Sequence, residues 1–211
     1  MILLDKSLHQ FAPQYFGTAF DIQQSLDDDV CDILMIACSC HGSAPDEVSI
    51  AGPERIFTLQ HLAATVPAAT EESPTSAADD LAYAFQYFDF KHVILCGHMG
   101  CNVIRRWAQP DQNDSRGLQK KFQQTTASVV DQTYPTRLDH ERQRLLICEH
   151  LLCQLENLLT HDFVLDRLET GELRLHGWLV DEMTARIRAY DAVHGRFVPI
   201  EKLRRESLAQ S

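Results

Sequence analysis

The chain has 211 residues, 45% hydrophobic and 23% charged, and its 19 Lys and Arg against 30 Asp and Glu leave a formal net charge of −11. These proportions belong to a folded globular chain and exclude a disordered or collagen-like one. The acidic surplus argues against nonspecific nucleic-acid binding, which needs Lys and Arg to neutralise phosphates, and no run approaches the roughly 18 apolar residues of a membrane span.

Residues 1–29 mix polar and apolar side chains and read as an N-terminal arm of one or two helices. The start lacks a basic segment followed by an apolar one, so a cytoplasmic protein is expected. Asp32 to Cys38 is a short, nearly continuous apolar run, and His92 to Gly97 is another. Such runs suit strands buried on both faces of a parallel sheet. Between them lie strand-like Arg55-Ile-Phe-Thr-Leu59 and a stretch from Ala77 to Phe88 with Leu81, Ala84, Phe85 and Phe88 at helical spacing. Strand, helix and strand thus follow in the order of a crossover unit.

After Cys101 a helix is predicted through Ile104 and Trp107, ending before Pro110, then a polar loop over 111–117. Arg142 to Thr160 carries a broad Leu face, Phe163 to Leu168 extends the helical region, and Gly171 breaks it. Core packing is the first explanation of that face and a partner surface the second. Leu173 to Val180, Ile187 to Tyr190 and Arg196 to Ile200 read as strands, and 202–211 as a frayed tail. The whole, 1–211, is expected to be a single domain of α/β class, with a central mixed, mainly parallel sheet flanked by helices.

Seven cysteines is an odd number in a chain too long to need staples, so metal binding or burial is a better explanation than a disulfide framework. Two apolar strands end in metal-capable side chains: Cys38 on the first, His98 and Cys101 just beyond the second. In an open α/β sheet adjacent strand ends form the crevice where ligands bind. Two thiolates and an imidazole suit a tetrahedral Zn²⁺ with one position undecided. The competing reading is three buried residues without a metal, free Cys being among the most buried types. Cys31, Cys96, Cys148 and Cys153 lie in apolar contexts and read as core fillers.

Cys-Ser-Cys-His-Gly at 38–42, followed by Val93-Ile-Leu-Cys-Gly-His-Met-Gly-Cys101, resembles the β-class carbonic anhydrases. That family reads Cys-x-Asp-x-Arg and then His-x-x-Cys. The likeness extends over roughly residues 30 to 200 and includes Gly171-Glu-Leu-Arg-Leu-His-Gly-Trp178. It implies zinc held by Cys38, His98 and Cys101, reversible hydration of CO₂ to bicarbonate as the ancestral reaction, and a homodimer or higher homo-oligomer. The family's catalytic Asp-Arg pair does not carry over: Cys40 and Gly42 stand in its places, and Gln60-His61 replaces an Arg-Asn pair.

Cys38 and Cys40 are two apart, so in extended chain both thiols approach one ion. A Cys₃His set would close the site as structural zinc sites are closed, excluding water. If Cys40 turns away, His41 or His61 is placed to act as a general base or proton shuttle. Two readings follow. One is an impaired or altered hydratase, or a hydrolase of a related small electrophile such as carbonyl sulfide. The other is a noncatalytic zinc-stabilised scaffold or regulatory protein. His176, beside Gly177 and Trp178, reads as packing, and Asp46 and Glu47 as first-turn helix residues.

Overall fold

The computed structural model describes residues 8–24, 31–40, 55–69, 75–109, 117–134 and 138–203. His41, Gly42, Asp46, Glu47, most of the 111–117 loop and most of the C-terminal tail lie outside the described residues.

Six strands form one sheet in the order β2-β1-β3-β4-β5-β6: β1 Ile33–Cys38, β2 Ile56–His61, β3 His92–His98, β4 Arg174–Asp181, β5 Arg186–Asp191 and β6 Arg196–Pro199. β1 pairs in parallel with β2 and β3, and β3 with β4, whereas β5 and β6 are added antiparallel. The fold is therefore α/β with a mixed, mainly parallel sheet, as the alternation of apolar runs and amphipathic segments implies. Every residue of β1 is buried. Leu34, Ile36 and Cys38 face the larger core, while Ile33, Met35 and Ala37 face a smaller one with Ile22 and Trp178. A strand buried on both faces has no polar positions to alternate, and this is why its sequence is a continuous apolar run.

The helices are α1 Ala19–Gln24, α2 Ser76–Tyr87, α3 Asn102–Trp107, α4 Leu118–Phe122, α5 Ser128–Thr133, α6 Asp139–Leu159 and α7 Asp162–Glu169. α2 starts where Thr75 accepts the Ala78 N–H at 3.2 Å, an N-cap that satisfies one of the free first-turn donors. α6 is buried through its middle, with Leu146, Leu152, Leu155 and Leu158 fully enclosed, so core packing accounts for its apolar face. It lies close on the sheet at Gly177, where a Cβ would sit 3.0 Å from a Leu155 methyl.

The helical stretch 118–133 is not signalled by the sequence pattern. It is rich in Gln, Thr and Val, and it holds a one-turn π-helical segment, Gln123–Ala127, between α4 and α5. β-branched residues within it, among them Thr125, Thr126, Val129 and Val130, disfavour helix and are held helical by tertiary contact. Phe122, Thr126, Ala127 and Val130 are buried, and the Gln123 amide donates to the carbonyls of Trp107 and Gln109 at the end of α3.

Candidate metal centre

β1 and β3 are neighbours whose outgoing connections diverge, β1 towards β2 and β3 towards β4. Such a switch point opens a crevice at the carboxyl ends of the strands. Cys38 ends β1 and His98 ends β3, and Cys101 occupies the position before α3. Cys38, Cys101 and His98 are buried, whereas Cys40, in the turn after β1, is exposed.

The four donor atoms of Cys38, Cys40, His98 and Cys101 lie within 4.8 Å of one another, a group able to hold a metal ion. Cys38 Sγ is 3.2 Å from Cys40 Sγ and 3.8 Å from Cys101 Sγ, Cys40 Sγ is 3.8 Å from Cys101 Sγ, and Cys40 Sγ is 3.2 Å from His98 Nε2. Donors on a tetrahedron about 2.3 Å from its centre are separated by about 3.8 Å, so the set fits a tetrahedral ion that favours sulfur and nitrogen. All seven cysteines are free, so no disulfide competes for these sulfurs.

The backbone is shaped to the cluster. Ala63 adopts a left-handed φ of 56°, which is costly for a residue with a Cβ. That conformation aims its N–H at Cys38 Sγ, 3.2 Å away, and its carbonyl accepts the His150 Nε2–H at 3.1 Å. The Cys38 thiol is pulled down to about 3, first by the bond from Cys101, against burial, and further by His98 and Cys40. Cys101, its partner in that bond, is pushed well up by it and by burial. Burial alone would lower His98, but Cys38 and Glu182 outweigh it and hold the ring at about 9. Thiolate character at Cys38 is what a soft cation requires.

Glu182, in the turn after β4, was not legible in the sequence. Its carboxylate accepts the His98 Nδ1–H and, at 3.1 Å, the Gly100 N–H. Burial would raise Glu182, but the bond to His98 prevails and lowers it. With Nδ1–H committed to the carboxylate, Nε2 is the ring nitrogen that faces the sulfurs and would ligate a cation that displaces its proton, the orientation that metal-ligating histidines take from such carboxylates. Gly100 makes the approach possible, because a Cβ there would lie 3.1 Å from Glu182 Oε1.

His61 is not gathered with the four donors among the described residues. Its Nδ1 donates to the Thr65 carbonyl at 3.1 Å and its Nε2 faces the Asp80 carboxylate at 3.5 Å. The cavity against the buried side of the cluster, bordered by Ile104, Ile147, His150 and Leu151, measures about 10 Å³, room for about one water. His176 is buried and bonded to His92 at 3.1 Å, in line with a packing role.

Fold and donor set define an α/β protein with a metal-site-like Cys/His cluster at the ends of adjacent parallel strands. The family model described as carbonic anhydrase matches residues 33–187. The chain belongs to that family, in its β class. A carbonic anhydrase of Pseudomonas aeruginosa is 27% identical over 169 residues, covering 79% of this chain and 76% of that one. In fold, the chain is similar to the β-carbonic anhydrase CcaA, with a TM-score of 0.72 at 22% identity, over 86% of this chain and 90% of that one. It is also similar to a tetrameric β-carbonic anhydrase from Sordaria macrospora, with a TM-score of 0.60 at 20% identity, over 81% and 85% of the two chains. No helix among the described residues is long and apolar enough to cross a membrane.

Proposed function

We propose that Cys38, Cys40, His98 and Cys101 hold one Zn²⁺ in a closed Cys₃His site, and that CO₂ hydration is impaired or altered in this member of the family. The observation that carries this reading is the position of Cys40 Sγ, 3.2 Å from both Cys38 Sγ and His98 Nε2, where the family motif has Asp. Bound zinc supplies Lewis acidity that activates water, and such chemistry needs an open coordination position. Cys40 fills that position with a thiolate. The Asp that would orient the nucleophile and the Arg that would hold the Asp are both replaced, by Cys40 and Gly42.

A second reading rests on Cys40, the one exposed residue of the four. If that thiol is displaced, the site opens to CO₂, bicarbonate or a similar small electrophile, and His61 or His41 is the candidate for proton transfer. The tetrameric Sordaria macrospora relative supports a homo-oligomer here, and the exposed Leu62, Tyr83 and Tyr87 provide apolar surface for it. The seven unpaired thiols support a reducing, cytoplasmic setting.

Stopped-flow CO₂ hydration on metal-loaded protein tests the proposal. A rate no faster than that of free zinc ion is expected, and a rate typical of efficient enzymes overturns it. The cobalt-substituted protein should show a tetrahedral thiolate spectrum insensitive to pH and added anions; a pH-dependent spectrum would instead support the open site. Restoring the motif with Cys40→Asp and Gly42→Arg together should raise hydration. No gain with metal still bound would show that the defect extends to Gln60, His61 or access to the site.

A further inference from the structure

A second concavity, of about 500 Å³, lies between the first turns of α6 and the β4–β5 hairpin. It falls within the roughly 300–1,000 Å³ of small-molecule sites and is far larger than the space beside the metal cluster. Arg186 and Arg188 are two apart on β5, so their side chains share a face of the sheet, and Arg144 reaches the same cavity from α6. Leu179, which belongs to the core beneath α6, is the cross-strand neighbour of Arg188, so this face is the one α6 covers. Burial and then Glu149 raise the Cys148 thiol on α6, and Arg188 and Arg144 are near enough to oppose that rise without reversing it.

In a chain with 30 acidic residues and 19 basic ones, arginines ordinarily find carboxylates. None of these three side chains makes an ion pair or hydrogen bond among the described residues. Two acids share the wall, and Asp181 is the cross-strand neighbour of Arg186, but neither forms an ion pair with these arginines. Asp181 accepts the Met183 N–H at 3.1 Å in the hairpin turn, and Glu182 accepts from His98 and Gly100. Three unspent guanidinium forks therefore converge on one cavity. Guanidinium matches carboxylate and phosphate oxygens bidentately, and it is less heavily hydrated than an ammonium and easier to engage.

We infer that the cavity formed by Arg144, Arg186 and Arg188 binds a small organic polyanion, a phosphate ester or a polycarboxylate, at a site separate from the metal cluster. The shared wall, Glu182 and Gly100, places the occupant beside the carboxylate that orients His98.

Calorimetric titration of the full-length, metal-loaded protein at constant ionic strength tests this, with fructose 1,6-bisphosphate as the phosphate probe and citrate as the carboxylate probe. At least one should saturate at one site per chain, and the stronger of the two identifies the source of the negative charge. Arg186→Gln and Arg188→Gln should each weaken it by about tenfold or more. Arg144→Gln, on a separate element, should do the same, so the test survives if a β5 variant folds poorly. Lys120→Gln, away from the cavity, should leave the affinity unchanged. The inference is overturned if neither probe saturates at millimolar concentration, or if the arginine variants bind as tightly as the parent. It is also overturned if probes fail to bind while Arg186→Gln and Arg188→Gln dissociate an oligomer in sedimentation, which would assign the arginines to a second copy of the chain.

Discussion

β1 and β3 carry a buried polar constellation at each end, and the two ends are built on different logic. At the amino ends, Asp32 precedes β1 and meets Arg55, which donates through Nε at 3.0 Å and through Nη2, while His92 of β3 bonds His176 of β4 at 3.1 Å. Asp32 and Arg55 are complementary, cation to anion, and His92 and His176 meet as donor and acceptor, while His176 Nδ1 is buried with no hydrogen-bond partner among the described residues. At the carboxyl ends, three sulfurs and an imidazole nitrogen converge instead. Like donors meeting at one point repel as thiolates and bond only weakly as thiols, so the arrangement is satisfied by a cation. The same strands thus hold an end whose charge is balanced within the protein, self-sufficient in that respect, and an end that requires a guest.

The largest expected effect falls on the end that requires a guest. Cys101→Ser removes a buried donor without changing the fold around it, and stoichiometric metal should be lost on elemental analysis. Metal binding to structural sulfur sites is worth on the order of 10 kcal/mol, so the apparent stability of the metal-loaded protein should collapse towards that of the chelated one. Retention of one equivalent would show that the cluster is not the metal site. The self-sufficient end should respond differently. Arg55→Met strands a buried carboxylate and should cost about 3–5 kcal/mol in denaturant unfolding, whereas Arg55→Met with Asp32→Leu should recover most of that loss. A double variant as unstable as the single one would mean that the pair serves more than its own neutralisation.

The two ends also differ in how far the sequence disclosed them. Cys38, His98 and Cys101 were legible because they punctuate apolar runs, and a metal-capable side chain at the end of a buried strand points into the crevice where ligands sit. Cys40 was legible through its spacing of two from Cys38. Glu182 was not, because an acidic residue in a hairpin turn is ordinary, and only the sheet order brings β4 beside β3 and the carboxylate to His98. Ala63 was hidden for a similar reason: a left-handed alanine has no mark in a sequence where glycine would be the sign. The parallel strands and α6 could be read from periodicity, but the 118–133 helix could not, since its Thr and Val residues favour extended chain and only burial of Phe122 and Val130 holds it helical.

Lowering the pH should strain the amino end by a predictable amount. Burial lowers His92 to about 4, with Asp32 opposing, and His176 lies well below the ordinary value through burial and the neighbouring His92 and Arg174. Above pH 6.5 these rings are neutral in both states. Between 6.5 and about 4 the unfolded chain takes up protons that the folded one refuses, so stability is lost as pH falls through that window. For His92 alone the loss amounts to roughly 3 kcal/mol. The metal end also loses affinity in acid, so the measurement is the difference in unfolding free energy between the parent and His92→Gln. The parent should fall more steeply from pH 6.5 to 4.5, and parallel curves would sink the assignment.

The smallest effect is the one that best separates the two designs. Glu182→Gln keeps the size of the side chain and its acceptor for the Gly100 N–H, but it replaces a charged acceptor of the His98 proton with a neutral one. Loss of such a carboxylate lowers metal affinity by about 10- to 100-fold, or about 1.4–2.7 kcal/mol. Competition with a chelator of known affinity should show that loss, while the metal-free chain, which loses only the charge on its contact with His98, should be destabilised less than the metal-loaded one. If instead the metal-free protein is destabilised as much as the metal-loaded one, the His98–Glu182 pair is a self-completing contact like Asp32–Arg55, and the carboxyl ends of β1 and β3 lose their distinction from the amino ends.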